Sequence, residues 1–323
     1  MSGDRNDART IPARPPAADF FDRPAGTRLG TRAATLAFDG LSIALDGMDP
    51  AWHAAFLARY RPWARDLTRW SPTPDLTLAI TLGEKDHYIE LPPPGVSIIN
   101  PLAIEVDRGV AGQSRIRVCT FGLAATFSTR GGRGRAVFAR TDYDPRDRSM
   151  ENILRVATAW LAVARGGVLM HSASIVKDGR ACLFFGQSGS GKSTISALDR
   201  RGRVVSDDLT LILPGPAGCP QVVGTPFRGT WTGGEPVTGR FPIRAGFRLR
   251  KAGEKEATTV EPSRRSLLTA EAIANLPFLV DQLHARPDLF AVAEKIFGSF
   301  PLRELRFRKD DAAFWDAIDA AAL

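Results

Sequence analysis

Lys192 and Ser193 close the octet Gly186-Gln187-Ser188-Gly189-Ser190-Gly191-Lys192-Ser193, which fits G-x-x-x-x-G-K-[ST], and Thr194 follows directly. Residues of these types at this spacing bind phosphate. Glycines let successive backbone N–H groups turn toward one point and cradle phosphate oxygens. A helix starting at the end of the loop adds the partial positive charge of its N-terminus. The Lys192 amine is then placed to reach terminal phosphates, and the Ser193 hydroxyl to ligate Mg²⁺. Downstream, Asp207 and Asp208 follow the apolar pair Val204-Val205. Two adjacent acids after a strand, soon after a phosphate loop, are positioned to hold Mg²⁺ or to accept a proton. Upstream, His171 sits in the run Val168-Leu169-Met170-His171-Ser172-Ala173-Ser174-Ile175-Val176.

These groups need elements to carry them. Ala181-Cys182-Leu183-Phe184-Phe185 reads as a buried strand feeding the loop, and Thr194 to Leu198 begins a helix. The His171 run is a second strand, joined to the first by the short turn Lys177-Asp178-Gly179. Two strands around an Asp-Gly turn predict a β-hairpin. A doubly wound nucleotide-binding sheet instead links parallel strands by helices, so the hairpin points away from small GTPases and nucleoside kinases. Arg203 to Ser206 and Leu209 to Leu213 read as strands on either side of the aspartates. Gln221 to Phe227 is a further strand, ending in Pro226-Phe227-Arg228-Gly229. The Gly-, Thr- and Pro-rich stretch 229–239, which holds Glu235, reads as a mobile loop.

The chain has 323 residues, 44% hydrophobic and 24% charged, an ordinary globular composition with room for two domains. Residues 1–30 read as a disordered tail, rich in proline and arginine. Residues 31–148 read as a smaller α+β domain. It has a hairpin over 34–45 around Asp39-Gly40, a helix over 50–60, and strands over 75–80, 87–91, 102–106, 114–121 and 135–138. His53 and His87 stand alone there and read as surface or packed side chains. Residues 149–323 read as the phosphate-binding domain. It opens on a helix over Glu151 to Arg165 and adds helices at 270–276, 289–297 and 311–322, the last with Asp310 or Asp311 as N-cap, and a strand at 302–308. No apolar run approaches the roughly 18 residues of a membrane span. Three widely spaced cysteines, Cys119, Cys182 and Cys219, read as reduced thiols of a cytoplasmic protein. The net charge of +8 is spread along the chain without a basic block, which argues against a nucleic-acid partner.

His171, the 186–194 loop and Asp207-Asp208 together resemble the HPr kinase/phosphorylase family, whose P-loop fold also looks like that of phosphoenolpyruvate carboxykinase. The shared pattern is a strand with histidine, a hairpin turn, a strand, the glycine loop, a helix, and a strand ending in Asp-Asp. It covers about 168–230 and extends loosely to the C-terminus. The resemblance implies a mixed, largely antiparallel α/β (α+β) sheet, ATP and Mg²⁺, and phosphoryl transfer to a hydroxyl. It implies that Gly186 to Thr194 hold the nucleotide, Lys192 its phosphates, and Ser193 and Asp207 the metal. Asp208 would take the acceptor's proton, and His171 would orient that aspartate. Arg228 and Gly229 match the end of the family's Glu-Val-Arg-Gly signature, but Pro226 stands where the glutamate would bind metal. Either Glu235 substitutes for it from the loop, or the site has one fewer acid. Thr194 also replaces a usual glutamate. These departures point to a serine or similar hydroxyl of a protein or peptide other than HPr. Two alternatives stay open: an ATP-binding regulatory or scaffold module without transfer, and a small-molecule kinase. Family members often assemble into rings, so a homo-oligomer is an option.

Overall fold

The computed structural model describes residues 9–11, 26–68, 71–84, 88–89, 96–98, 102–108, 114–140, 146–229, 231, 233–253, 255–279, 287–310 and 312–321. The protein is mixed α/β, with sheets of mixed strand orientation. It divides into two compact units. One comprises Met1–Leu36, Ser42–Arg59 and Ala64–Ala157; the other comprises Ala37–Leu41, Tyr60–Trp63 and Thr158–Leu323.

In the first unit, β1 (Arg9–Ile11) pairs in parallel with β6 (Val96–Ile98). One larger sheet is built from β2 (Arg32–Phe38), β3 (Leu41–Met48), β4 (Ala64–Asp66), β5 (Leu76–Leu82), β7 (Ala103–Arg108), β8 (Ser114–Cys119), β9 (Leu123–Ser128) and β10 (Gly132–Phe138), in the order β4-β2-β3-β5-β10-β9-β8-β7. The alternation that marks β5 buries Leu76, Leu78 and Ile80 completely. Helix α1 (Pro50–Arg59) turns Trp52 and Phe56 inward. It also buries His53, whose Nε2 lies 2.9 Å from Asp66 Oδ1, a packed histidine. The strand expected over 87–91 falls mostly outside the described residues.

Helix α2 (Arg146–Ala164) spans the division between the units and begins ahead of the expected Glu151. The second unit then unfolds in sequence order. The His171 strand β11 (Val168–Lys177) and the loop-bearing strand β12 (Arg180–Phe185) form the expected antiparallel hairpin. Its turn residues Asp178 and Gly179 have φ of 51° and 74°, the double left-handed step of a type I′ turn that suits the twist of the strands. Helix α3 (Lys192–Leu198), β13 (Arg203–Ser206), β14 (Leu209–Pro214), β15 (Pro220–Val223), β16 (Arg240–Lys251), β17 (Thr259–Glu261), helices α4 (Arg265–Ala274) and α5 (Pro287–Gly298), β18 (Leu302–Phe307) and helix α6 (Phe314–Ala320) complete it.

β11 and β16 are long and each serves two sets of partners. β11 pairs with β14 through Val168–His171 and with β12 through Ser172–Lys177. β16 pairs with β15 through Arg240–Pro242 and with β12 from Ile243 onward. The circuit β11-β14-β15-β16-β12 therefore closes on itself. Most pairings are antiparallel, but the loop-bearing β12 lies parallel to β16, as does β18. Beneath the loop, Phe184, Phe247, Phe314 and Trp315 pack with Ile195 and Phe307 in one buried cluster. The Phe184 and Phe247 rings stack at 5.6 Å, and Phe314 meets Phe184 edge-on.

The C-terminal elements correct the sequence reading in detail. Helix α4 starts before the expected Ala270. Helix α6 begins at Phe314 behind Ala313, with no side-chain cap. Asp310 does not cap it, because its carboxylate accepts hydrogen bonds from Arg308 Nε and Nη2 at 3.1 and 2.9 Å. Asp311 lies outside the described residues.

Candidate functional site

β12 ends at Phe185, and the chain enters the glycine loop directly. Gly186, Gly189 and Gly191 have φ of 147°, 76° and 110°, conformations that side chains resist. At Gly191 the constraint is double, since a Cβ there would lie 2.5 Å from the Phe307 ring. Gln187, Ser188, Gly189 and Ser193 are exposed at the rim, Ser190 and Thr194 half-buried, and Gly186 buried. The Ser190 amide donates to the Gln187 carbonyl at 3.0 Å, closing the loop's tip.

Lys192 is only 7% exposed. Its amine turns back over the loop and donates to the Gly186 carbonyl at 2.9 Å and the Gln187 carbonyl at 3.4 Å. Burial lowers its pKa from the ordinary lysine value, and the Asp208 carboxylate offsets part of that shift.

Sheet register explains how His171 reaches the same place. β13 and β14 run along β11 as one antiparallel line interrupted by the two aspartates. Ser174 faces Ser206 on one side of the interruption, and His171 faces Leu209 on the other. Ser172 pairs with Phe185, so His171 lies level with the start of the glycine loop. His171 Nε2 is 3.3 Å from Asp208 Oδ1, with the two side chains 40% and 26% exposed. The His171 backbone amide donates to the Asn275 carbonyl at the end of α4, 2.7 Å away.

Ser206, which the sequence reading passed over as a strand residue, shapes the turn. Its hydroxyl donates to the Phe227 carbonyl at 3.0 Å and accepts from the amides of Asp208 at 3.2 Å and Leu209 at 3.0 Å. A serine at the end of a strand before Asp-Asp is a weak signal, readable only once Phe227 is known to lie beside it.

The two aspartates point to different partners. Asp207 is 2% exposed. Its Oδ1 accepts from the Gly229 amide at 2.7 Å and its Oδ2 from the Trp231 amide at 2.9 Å. The segment they meet is also held from within its own unit: Trp63 Nε1 donates to the Gly224 carbonyl at 2.9 Å, and the Phe38 ring meets Phe227 edge-on at 5.7 Å. The Arg228 guanidinium lies over the Trp231 ring at 5.6 Å and reaches the Gly234 carbonyl at 3.4 Å. Glu235 is exposed further along the same loop. Among the described residues no three His, Cys, Asp or Glu side chains form a metal-holding group, so Glu235 does not close a trio with Asp207 and Asp208.

The site thus brings together His171, Asp208, Lys192 and the loop 186–194. Asp207 turns away from it to the Gly229 and Trp231 amides, in the segment that also carries Arg228. Gly186, Gly189 and Gly191 take positive φ and the Lys192 amine folds back on the loop carbonyls, a geometry compatible with binding an anion. No helix among the described residues is long and apolar enough to cross a membrane. Comparison with protein-family models and with curated proteins finds no match.

Proposed function

We propose that the chain is an ATP-dependent, Mg²⁺-requiring phosphotransferase similar to the HPr kinases, acting in the cytoplasm on a serine or similar hydroxyl of a protein or peptide. The observation that carries the reading is the 3.3 Å approach of His171 Nε2 to Asp208 Oδ1, at a strand position level with the start of the glycine loop. A glycine loop alone argues only for phosphate binding. A loop lysine beside a histidine-supported carboxylate argues for chemistry at a terminal phosphate.

In this reading Gly186 to Thr194 hold the triphosphate, and Lys192 releases its loop carbonyls to pair with the β- and γ-phosphates. The Ser193 hydroxyl would hold Mg²⁺, and the ion would neutralise charge that develops on the phosphate oxygens. Asp208 removes the proton from the acceptor hydroxyl as that oxygen bonds to the γ-phosphorus and the bond to the bridging oxygen breaks, releasing ADP. His171 fixes the rotamer of Asp208 and balances its charge. Arg228, 5.6 Å over Trp231, borders the acceptor's side.

The test is transfer from γ-labelled ATP to serine-containing peptides, followed by mass spectrometry. Transfer lost in both Lys192→Ala and Asp208→Asn supports the reading; an unchanged rate in both removes it. A second reading, nucleotide binding without transfer, is favoured by Pro226, which stands where the resembled family has a metal-binding glutamate. It expects nucleotide affinity that depends on Lys192 and turnover no higher than in Lys192→Ala.

A further inference from the structure

Asp207 and Asp208 are adjacent in sequence, yet their surroundings assign them different work. Asp207 is almost wholly buried, and each of its oxygens already accepts from a backbone N–H, that of Gly229 at 2.7 Å and that of Trp231 at 2.9 Å. The contact leaves no slack: a Cβ on Gly229 would lie 2.8 Å from Asp207 Oδ2 and 2.9 Å from Asp208 Cβ. Beyond it, Trp231 packs against the aromatic cluster beneath the glycine loop and stacks under Arg228. Gly233 and Gly234 then pass so close to the indole that a Cβ on either would sit 2.9 Å from it.

We propose that Asp207 is a clasp and not a metal ligand: its carboxylate fixes the backbone at Gly229 and Trp231 beside Asp208, making Phe227–Gly229 and Trp231 the acceptor-side wall and leaving Asp208 as the couplet's reactive carboxylate. A buried carboxylate is stabilised here by two charge-assisted hydrogen bonds from main-chain donors, and losing its charge releases both. Asp207 is then a positioning residue. Its bearing on catalysis rests on the phosphotransfer reading, but the clasp is measurable in the protein without nucleotide.

The experiment is amide hydrogen exchange on the full chain, comparing wild type with Asp207→Asn and Gly229→Ala. Asparagine offers one accepting oxygen and turns an amino group toward the second N–H. Alanine at 229 forces the segment away while keeping both acids. In each variant the peptide covering 227–239 should exchange about tenfold faster or more, with the 186–194 peptide unchanged. Exchange over 227–239 that stays at the wild-type rate in both variants overturns the clasp. Mn²⁺ binding in the presence of a non-hydrolysable ATP analogue is the second arm. A clasp leaves Mn²⁺ affinity within about threefold in both variants, whereas a loss beyond about tenfold confined to Asp207→Asn makes Asp207 a ligand and overturns the proposal. A wild-type protein that binds neither analogue nor Mn²⁺ defeats the phosphotransfer reading, while the exchange arm still decides the clasp.

Discussion

His171 and Asp208 meet at 3.3 Å although 36 residues of sequence, holding the hairpin turn, the glycine loop and a helix, come between them. The contact is made by strand register, and it is the relationship on which the activity should turn most steeply.

Replacing Asp208 by Asn keeps its shape and removes its ability to take a proton. Transfer from ATP is expected to fall by about a hundredfold or more, with nucleotide affinity little changed. His171→Ala should cost about tenfold in kcat, and His171→Asn should recover part of it by restoring a hydrogen bond to the carboxylate. Steady-state kinetics with nucleotide binding measured separately check both. Equal losses in affinity and rate would mean that the pair acts in binding alone.

Gly191 has φ of 110° and faces the Phe307 ring at 2.5 Å from where a Cβ would stand. Gly191→Ala is therefore expected to destabilise the protein by about 2–4 kcal/mol and to distort the loop. Phe307→Leu in the same chain should relieve the overlap but not the backbone strain. The double variant should unfold less easily than the sum of the two single effects predicts, by about 1 kcal/mol in denaturant titrations. Strict additivity would show that the ring is not the obstacle.

Asp319 on α6 gathers Lys177 from the end of β11, Arg201 at 3.0 Å and Arg244 at 2.9 Å. The hydrogen bonds from Lys177 and then Arg244 hold its carboxyl below the ordinary 3.8. A carboxyl depressed on folding contributes stability above its unfolded pKa and loses it as pH falls through the lower folded value. A third of the side chain is exposed, so solvent screening limits the effect to about 1 kcal/mol at neutral pH. The Tm difference between wild type and Asp319→Asn should be full at pH 5–7, roughly, and close as the pH falls below about 4. A constant difference across that range would contradict the network.

Cys119 and Cys182 are buried, and burial pushes both thiols up to about 12, whereas Cys219 is exposed. Iodoacetamide at about pH 8 should label Cys219 alone in the native protein and the other two only after unfolding. Mass spectrometry of the labelled chain reads this directly, and rapid native labelling of Cys182 would place the loop-bearing strand outside the core.

The main elements of the second unit were legible in the chain. The hairpin around Asp178-Gly179 could be read because a type I′ turn needs residues that tolerate positive φ, and the apolar runs on either side are strands at any register. The glycine loop could be read because Gly186, Gly189 and Gly191 take positive φ that side chains resist, so their spacing shows in the sequence. Boundaries at α4 and α6 slipped because their first turns carry no capping side chain to mark them.

What sequence alone determined was the local order of groups: a strand with histidine, a second strand, a glycine loop with lysine and serine, and two acids. What tertiary structure decided was which of those groups meet. Pairing of β13 and β14 along one strand brings Asp208 to His171, and the fold of 224–231 takes both oxygens of Asp207 for backbone amides. Neither outcome is written in the neighbours of the two aspartates, because a strand register and a buried amide's choice of acceptor are set by long-range packing and by the cost of leaving a buried polar group unpaired.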